Sequence, residues 1–356
     1  MESKIRKYYI DLLRVLACIA VICIHVTAVR WYDVDVNSYS WQVLNTFNSM
    51  SRWAVPIFLM ISGGLLLTKE KLITIKLSFT KYIPRIIFAI LFFGIASYLC
   101  IDLLIQNNFD DSVLHYIKSI LKGNNYFHLN YLYMLLGLYI ITPILHEFVK
   151  KVSKKTLEYL LSIIFISTFC IPFLGLLKID YIYNIISDNY LLLKFPIASG
   201  YILYYLLGFY IETYDIKWRK TVYVLGILGL LFTIFATSFY SVHYSNPYSE
   251  FYSYITPNCL FVSIALYVYI KSKSKEIKDF FLEGNSFKIC STISKYSFGI
   301  YGLHVIFVNL LDKLNIFNVE SHTLVTVPLN VLLVMMMSLI ASSLLCKIKW
   351  FKNLLV

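Results

Sequence analysis

Arg14 and His25 are the residues of this sequence whose types and spacing most directly suggest chemistry. Both lie in one apolar run near the N-terminus, and eleven residues separate them. In a helix this is about three full turns, so both side chains lie on one face, roughly 16 Å apart along the axis. An imidazole that titrates near neutral pH can take a proton from a hydroxyl group, and a guanidinium binds phosphate or polarises a carbonyl.

The pair also has a structural interpretation. Arg14 can pair with Asp11 one turn earlier and fix the end of the helix, and a lone His in an apolar helix is more often a packed, hydrogen-bonded residue than a catalyst. An Arg and a His on one stripe, which Cys18 and Ile22 complete, indicate instead a polar track that leads inward from one end of the helix.

The elements that position these residues follow from composition. The chain has 356 residues, of which 59% are hydrophobic and only 15% charged, with a mean hydropathy of +0.69. Its apolar residues form runs of about twenty, the length that a helix needs to cross a bilayer. Strands of a membrane barrel would alternate apolar and polar residues, and that pattern is absent. The composition predicts an all-α polytopic membrane protein.

We expect about ten transmembrane helices in one membrane domain over residues 1–356. No internal repeat, flexible linker or long polar insertion is visible, so we expect no appended soluble domain. The predicted spans are 9–29, 51–68, 82–104, 128–146, 157–176, 196–212, 221–241, 252–271, 295–312 and 325–346.

The distribution of basic residues predicts the orientation. If the N-terminus is cytoplasmic, the cytoplasmic segments and adjoining span ends hold 24 Lys and Arg residues and the outer ones hold 7, and Arg14 is the one basic residue counted on neither side. Such a bias is typical of the positive-inside rule, so both termini are expected in the cytoplasm. The net charge of +12 forms no continuous basic face, which argues against nucleic-acid binding. The seven cysteines contain no CxxC pair and indicate neither a disulfide framework nor a metal site.

Six segments, taken in order, resemble the acyltransferase-3 family of bacterial membrane acyltransferases. The first is YIDLLRVLACIAVICIH, since the opening helix of that family carries an arginine and a histidine at this separation. The others are PIFLMISGGLLL (56–67), the basic stretch ending in Lys81 and Arg85, YFHLNYLYMLLGLYIITPIL (126–145), YILYYLLGFYI (201–211) and ISKYSFGIYGLHVIF (293–307). Many members carry Trp where this chain has Asn130, so no acceptor contact is inferred for that position.

The resemblance implies the transfer of an acyl group, usually acetyl, from cytoplasmic acyl-CoA in a bacterial cytoplasmic membrane. The acceptor would be a hydroxyl of a cell-envelope carbohydrate, such as a lipid-linked glycan, and no metal is expected. His25 is then the candidate general base, or the carrier of an acyl-histidine intermediate. Arg14 either holds the phosphates of CoA or polarises the thioester carbonyl.

Further candidates have both a functional and a structural interpretation. Arg85, helped by Lys81, is expected to bind phosphate of CoA, or else to anchor the helix on the cytoplasmic side. Ser62 and the two glycines after it either let the donor pass or, more often in membrane proteins, permit close helix packing.

His304 and Tyr301 lie one helical turn apart and are expected to orient His25 or the substrate, or else to form a packed pair. Arg30 and Trp31 belong, with Tyr32, Trp41 and Trp53, to an aromatic cluster at the outer face. An interfacial belt explains that cluster first, and contact with an acceptor sugar is the sharper alternative.

Two other function classes compete with an enzyme. A polysaccharide exporter, flippase or small-molecule permease would also have ten spans and buried polar residues, but neither an inverted repeat nor a matched pair of broken spans is visible. A sensor or scaffold subunit would have no need of the Arg14–His25 track.

Overall fold

A computed structural model describes residues 7–106, 118–120, 126–177, 200–283, 286–316, 322–349 and 351. Within these ranges the regular structure is helical and no strand occurs. The helices are α1 (Tyr8–Ala28), α2 (Tyr39–Ser49), α3 (Ala54–Leu66), α4 (Ile75–Ile105), α5 (Phe127–Lys151), α6 (Lys154–Leu176), α7 (Tyr201–Thr213), α8 (Arg219–Tyr244), α9 (Pro257–Ser272), α10 (Ser274–Glu283), α11 (Ser286–Lys313) and α12 (Thr323–Leu345).

The described helices are those of a multi-pass membrane protein. Eight helical segments are long and apolar enough to cross a membrane, and they correspond to eight of the predicted spans. The remaining two predictions, 196–212 and 295–312, fall on α7 and α11. Residues 196–199 lie outside the described residues. The 13 described residues of α7 are fewer than the 18 required of a membrane-spanning helix. Helix α11 has 28 residues, but its apolar stretch is interrupted by polar side chains such as His304 and Asn309. The count of ten and the sidedness of the termini stay predictions.

The segment 30–52, which the sequence interpretation treats as an outer loop, contains helix α2. Ser38 caps this helix by accepting a hydrogen bond from the backbone N–H of Trp41 at 3.1 Å. Together α2 and α3 form a single apolar segment, Tyr39–Leu66. Hydropathy missed α2 because its buried face carries Asn45 and Asn48, whose side chains bond to other helices.

Helix α1 lies at the centre of the fold, where it packs against α2, α3, α11 and α12. This arrangement surrounds the stripe that carries Arg14 and His25 with other helices. Both residues are partly buried, while their neighbours Leu13 and Ile22 are fully buried.

The crossing of α3 and α7 depends on two glycines. A Cβ on Gly63 would lie 1.9 Å from the carbonyl oxygen of Tyr205, and a Cβ on Gly208 would lie 1.9 Å from that of Met60. No side chain fits at either position, so the backbones approach closely. The packing interpretation of the glycines after Ser62 is confirmed.

Candidate active site

Two cavities lie along α1, one at the level of Arg14 and one at the level of His25. The first, here called the Arg14 cavity, has a volume of about 360 Å³. Three cationic side chains line it, Arg14, Arg85 and Lys295, and no Asp or Glu occurs among its described lining residues. A cavity with this lining suits a ligand that carries negative charge.

Arg14 takes part in both arrangements that the sequence allowed. Its Nη1 lies 3.8 Å from Oδ1 of Asp11, which is a long ion pair, and the same side chain lines the cavity. Asp11 is engaged elsewhere, since it accepts a 2.6 Å hydrogen bond from the hydroxyl of Ser294. The carboxylate therefore does not occupy Arg14 fully, and the guanidinium also faces the cavity.

Of the other three residues predicted to bind the donor, two line the Arg14 cavity and one does not. Arg85 lines the Arg14 cavity, with its guanidinium carbon 5.7 Å from the ring centre of Phe298. Ser62 lines the same cavity and donates to the carbonyl of Phe58 at 2.9 Å. Lys81 is exposed and is not among the lining residues. Lys295, which the sequence interpretation did not single out, takes its place.

The second cavity, here called the His25 cavity, has a volume of about 540 Å³. Its wall combines aromatic rings with polar side chains of several helices. The polar and aromatic lining residues are His25, Trp31, Tyr32, Asn48, Arg52, Phe127, His128, Asn130, Tyr131, Tyr201, Ser249, Glu250, Tyr252, Ser253, Tyr254 and Tyr301. Such a wall can stack on a sugar ring and hydrogen-bond its hydroxyls.

His25 belongs to a cluster of three histidine rings. The ring centre of His25 lies 4.9 Å from that of His304 and 6.2 Å from that of His128, and the latter two are 5.6 Å apart. His304 is fully buried, and its Nδ1 lies 2.6 Å from the carbonyl oxygen of Tyr301. A carbonyl can only accept, so Nδ1 carries the hydrogen and Nε2 of neutral His304 is an acceptor.

His128 was missed as a site residue, although it lies in a segment that resembles the family. Its only local signal is a His in an apolar run, which is usually structural. The nearness of His128 to His25 depends on how α5 packs in the bundle. The Nε2 atoms of His128 and His304 are buried, and no described residue bonds to either.

Tyr131 and Tyr301 form the wall that the two cavities share. Their ring centres lie 5.1 Å apart, and the hydroxyl of Tyr301 donates to the carbonyl of His128. The Arg14 and His25 ends of the α1 stripe therefore lead to two chambers that meet at this pair of tyrosines.

Arg52 is the second site residue that the sequence does not reveal, because a basic residue at the edge of an apolar run is typical of a loop charge. It lies between α2 and α3, inside an apolar segment long enough to span a membrane. Its guanidinium carbon is 4.0 Å from the ring centre of Tyr252, and its side chain lines the His25 cavity.

Two tryptophans of the outer aromatic cluster lie in the interior of the protein. Trp41 is fully buried, and its indole N–H donates to the carbonyl of Trp31 at 3.2 Å. Trp31 is 4% exposed and lines the His25 cavity, whereas Tyr32 is 72% exposed. A belt at the membrane surface is therefore wrong for Trp31 and Trp41.

Arg30 does not line the His25 cavity. It pairs with Asp312 at 2.8 Å and with Asp33 at 3.3 Å, and so ties the end of α1 to the end of α11. Its sequence-based assignment to the acceptor site has no contact that supports it among the described residues.

No group of three or more His, Cys, Asp or Glu side chains in the described part of the chain has the geometry to hold a metal ion. The three histidine rings contact one another edge-on or tilted.

Comparison with known proteins identifies the family of the chain. A family model described as an acyltransferase domain, acyltransferase-3, matches residues 7–347, which is nearly the whole chain. Neither the comparison with curated proteins nor that with solved structures gave a match.

Proposed function

Because this chain belongs to the acyltransferase-3 family and is a membrane acyltransferase, we propose that it transfers an acyl group, acetyl in particular, from acyl-CoA to a carbohydrate hydroxyl. The acceptor is a cell-envelope carbohydrate such as a lipid-linked glycan, and the membrane is the bacterial cytoplasmic membrane. The observation that carries this proposal is the pair of cavities that share Tyr131 and Tyr301, one cationic and one aromatic.

The donor binds in the Arg14 cavity. CoA carries several phosphates at one end of a long thin arm, and Arg85 and Arg14 supply guanidinium groups that grip phosphate through paired hydrogen bonds. Lys295 adds a third positive charge at the same cavity. The arm then extends past Tyr131 and Tyr301 and brings the thioester toward His25.

The acceptor binds in the His25 cavity. Trp31 and Tyr254 offer aromatic rings to a sugar, and Asn48 offers an amide oxygen. His25 lies in the same wall, within reach of a hydroxyl that projects toward the shared tyrosines.

The reaction needs one proton acceptor and one leaving group. The acceptor oxygen attacks the thioester carbonyl carbon while His25 takes the hydroxyl proton, the C–S bond breaks, and His25 returns the proton to the sulfur of CoA. We assign His304 a supporting role, since its ring lies 4.9 Å from that of His25, centre to centre, and its Nε2 is an acceptor that no described residue occupies. An N–H of His25 that turns toward this acceptor fixes the orientation of the His25 ring during the reaction. Transfer through an acyl-histidine at His25 would give the same products.

The proposal is tested with purified protein in detergent and acetyl-CoA labelled in the acetyl group. The enzyme should release CoA thiol and move the label to an extract of envelope glycans, and the thiol released should match the label transferred. An exporter or permease would leave the thioester intact.

The matched control is the Lys155→Ala variant, which changes an exposed lysine at the start of α6. It should release thiol at the wild-type rate. Thioester that stays intact with every glycan fraction, in a preparation that melts cooperatively, would refute the acyltransferase mechanism.

A further inference from the structure

Arg52 lines the His25 cavity, but neither donor binding nor proton transfer assigns it a role. From it we propose that the acceptor is an anionic sugar, one that carries a carboxylate or a phosphate, and that Arg52 binds this anion. The inference rests on the proposed function, because it names the class of acceptor for the same site.

The orientation of Arg52 is fixed by the protein around it. Its guanidinium stacks on the ring of Tyr252, and the hydroxyl of Tyr252 donates to Oδ1 of buried Asn45 at 2.7 Å. Asn45 in turn donates to the carbonyl of Ile234 at 3.0 Å, so α2, α8 and the Glu250–Tyr252 turn hold the platform together. The carbonyl of Arg52 accepts from the thiol of Cys259, which holds its backbone as well.

Stacking satisfies the face of a guanidinium but not the donors on its edge, and the hydroxyl of Tyr254 engages the Arg52 side chain there. Nε of Arg52 is buried, and no described residue bonds to it. No described carboxylate lies within 4 Å of the side chain either. A buried donor without a partner is costly, and a charge in an apolar segment of membrane length is costlier. A ligand that brings an anion removes both costs.

The chemistry of the wall restricts that ligand. Nε with the neighbouring Nη forms a fork that matches the two oxygens of a carboxylate or a phosphate. Oδ1 of Asn48 is also buried in this wall and bonds to no described residue, so it can accept from a sugar hydroxyl. Trp31 contacts Tyr252 with ring centres 5.3 Å apart, and both line the cavity. Guanidinium, amide acceptor and aromatic rings together fit a sugar with one acidic group.

Glu250 lines the same cavity and is the one acidic residue among its described lining residues. Its side chain is exposed, and none of the ion pairs of the described residues joins it to Arg52. Its negative charge repels an anionic ligand. Removal of this charge therefore gives a second, independent test of the charge preference.

The experiment measures binding of glucose, glucuronate and glucose 6-phosphate to the full-length protein in detergent, by titration of tryptophan fluorescence. Wild-type protein should bind at least one anionic probe about 10-fold or more tightly than glucose, as expected for hydrogen bonds to a charged group. Preference for glucuronate indicates a uronic-type acceptor, and preference for glucose 6-phosphate indicates a phosphate-bearing one.

Arg52→Gln should remove most of this preference without changing the affinity for glucose, and Arg52→Lys should recover part of it. Glu250→Gln should strengthen binding of the anionic probe. Lys313→Gln removes an exposed cation at the end of α11, outside the cavity, and should leave the preference unchanged.

Equal affinities of the wild type for all three sugars, or no binding of either anionic probe, overturn the inference without any variant. So does an Arg52→Gln protein that keeps the preference but consumes acetyl-CoA slowly, since Arg52 would then act on the reacting thioester. Thioester consumption is measured in the same wild-type sample. Consumption without an anion preference refutes this inference and leaves the acyltransferase mechanism standing. An anion preference without consumption refutes the acyltransferase mechanism, and Arg52 then binds an anion that is not an acyl acceptor.

Discussion

The ring of His304 lies 4.9 Å from the ring of His25, centre to centre, although 279 positions of sequence separate the two residues. His304 is held by the bond between its Nδ1 and the carbonyl of Tyr301, one turn earlier on α11. Since α11 packs along α1, the contact makes the orientation of His25 depend on the packing of these two helices.

His25→Gln should lower the rate of acyl transfer by ~10²–10⁴, because glutamine keeps hydrogen bonding and size but cannot take a proton near neutral pH. Acyl-CoA affinity should be unchanged, since the phosphates bind at the Arg14 cavity. Turnover and donor binding are measured separately on the purified variant. His243→Gln, which alters an exposed histidine near the end of α8, should keep full activity. Near-normal turnover of His25→Gln would make His25 a structural residue.

His304 should act as a positioning residue, and two amide variants distinguish this from packing. In His304→Gln the amide lies near the position of Nε2 and can accept from His25, whereas in His304→Asn it lies near Nδ1 and only restores the bond to Tyr301. We expect His304→Gln to keep more of kcat than His304→Asn, which should lose up to about 10²-fold. The KM for acyl-CoA should stay constant in both. If the two variants had equal kcat values, or if His304→Asn had the higher kcat, His304 would be a packing residue only.

Arg85→Ala should weaken acyl-CoA binding by about 10-fold or more, through the loss of charge-assisted hydrogen bonds to phosphate. Arg85→Lys should recover only part, since an ammonium cannot form the same fork. Equilibrium binding of acyl-CoA at low and high salt checks this, and the loss should shrink at high salt. Lys81→Ala should have a smaller effect, because Lys81 is exposed outside the cavity lining. A greater loss with Lys81→Ala than with Arg85→Ala would contradict the assignment.

Gly63→Ala should destabilise the protein, because the added Cβ would lie 1.9 Å from the carbonyl oxygen of Tyr205 and would force α3 and α7 apart. We expect a loss of about 1–3 kcal/mol, the usual cost of overpacking, seen as a lower melting temperature. The matched control is Gly137→Ala on α5, where no atom beyond the chain neighbours and the local helix backbone lies within 4 Å of the added Cβ. That variant should be neutral or more stable by up to about 1 kcal/mol, from helix propensity. Equal melting temperatures would show that the crossing tolerates a side chain.

The orientation predicted from charge can be tested with single cysteines and a membrane-impermeant maleimide on intact cells. Asn246→Cys, beyond the end of α8, should be labelled from outside, and Asp215→Cys, between α7 and α8, should not. Unmodified protein reports the background of the seven native cysteines, four of which are buried. Labelling of Asp215→Cys but not of Asn246→Cys would show that the orientation is the reverse of the predicted one. The donor would then enter from the opposite side.

The sequence by itself determined the features that depend on local geometry. Runs of apolar residues are sufficient to place membrane helices, because a helix satisfies its own backbone and needs only side chains that dissolve in lipid. The shared face of Arg14 and His25 follows from 3.6 residues per turn, and the close packing at Gly63 follows from the absence of a side chain. The six ordered segments predicted the acyltransferase-3 family, which the match over residues 7–347 confirms.

Only the tertiary structure decided which distant residues share a cavity. Helix α2 escaped prediction because hydropathy counts Asn45 as polar, whereas hydrogen bonds to other helices satisfy it in the interior. In the sequence Arg52 resembles a loop charge, but the packing of α2 and α3 places it in the same cavity as His25. His128 joins the histidine cluster through the approach of α5 to α11, which no local pattern encodes. Periodicity acts within one helix, but a cavity forms between helices, and its lining depends on contacts made across the whole chain.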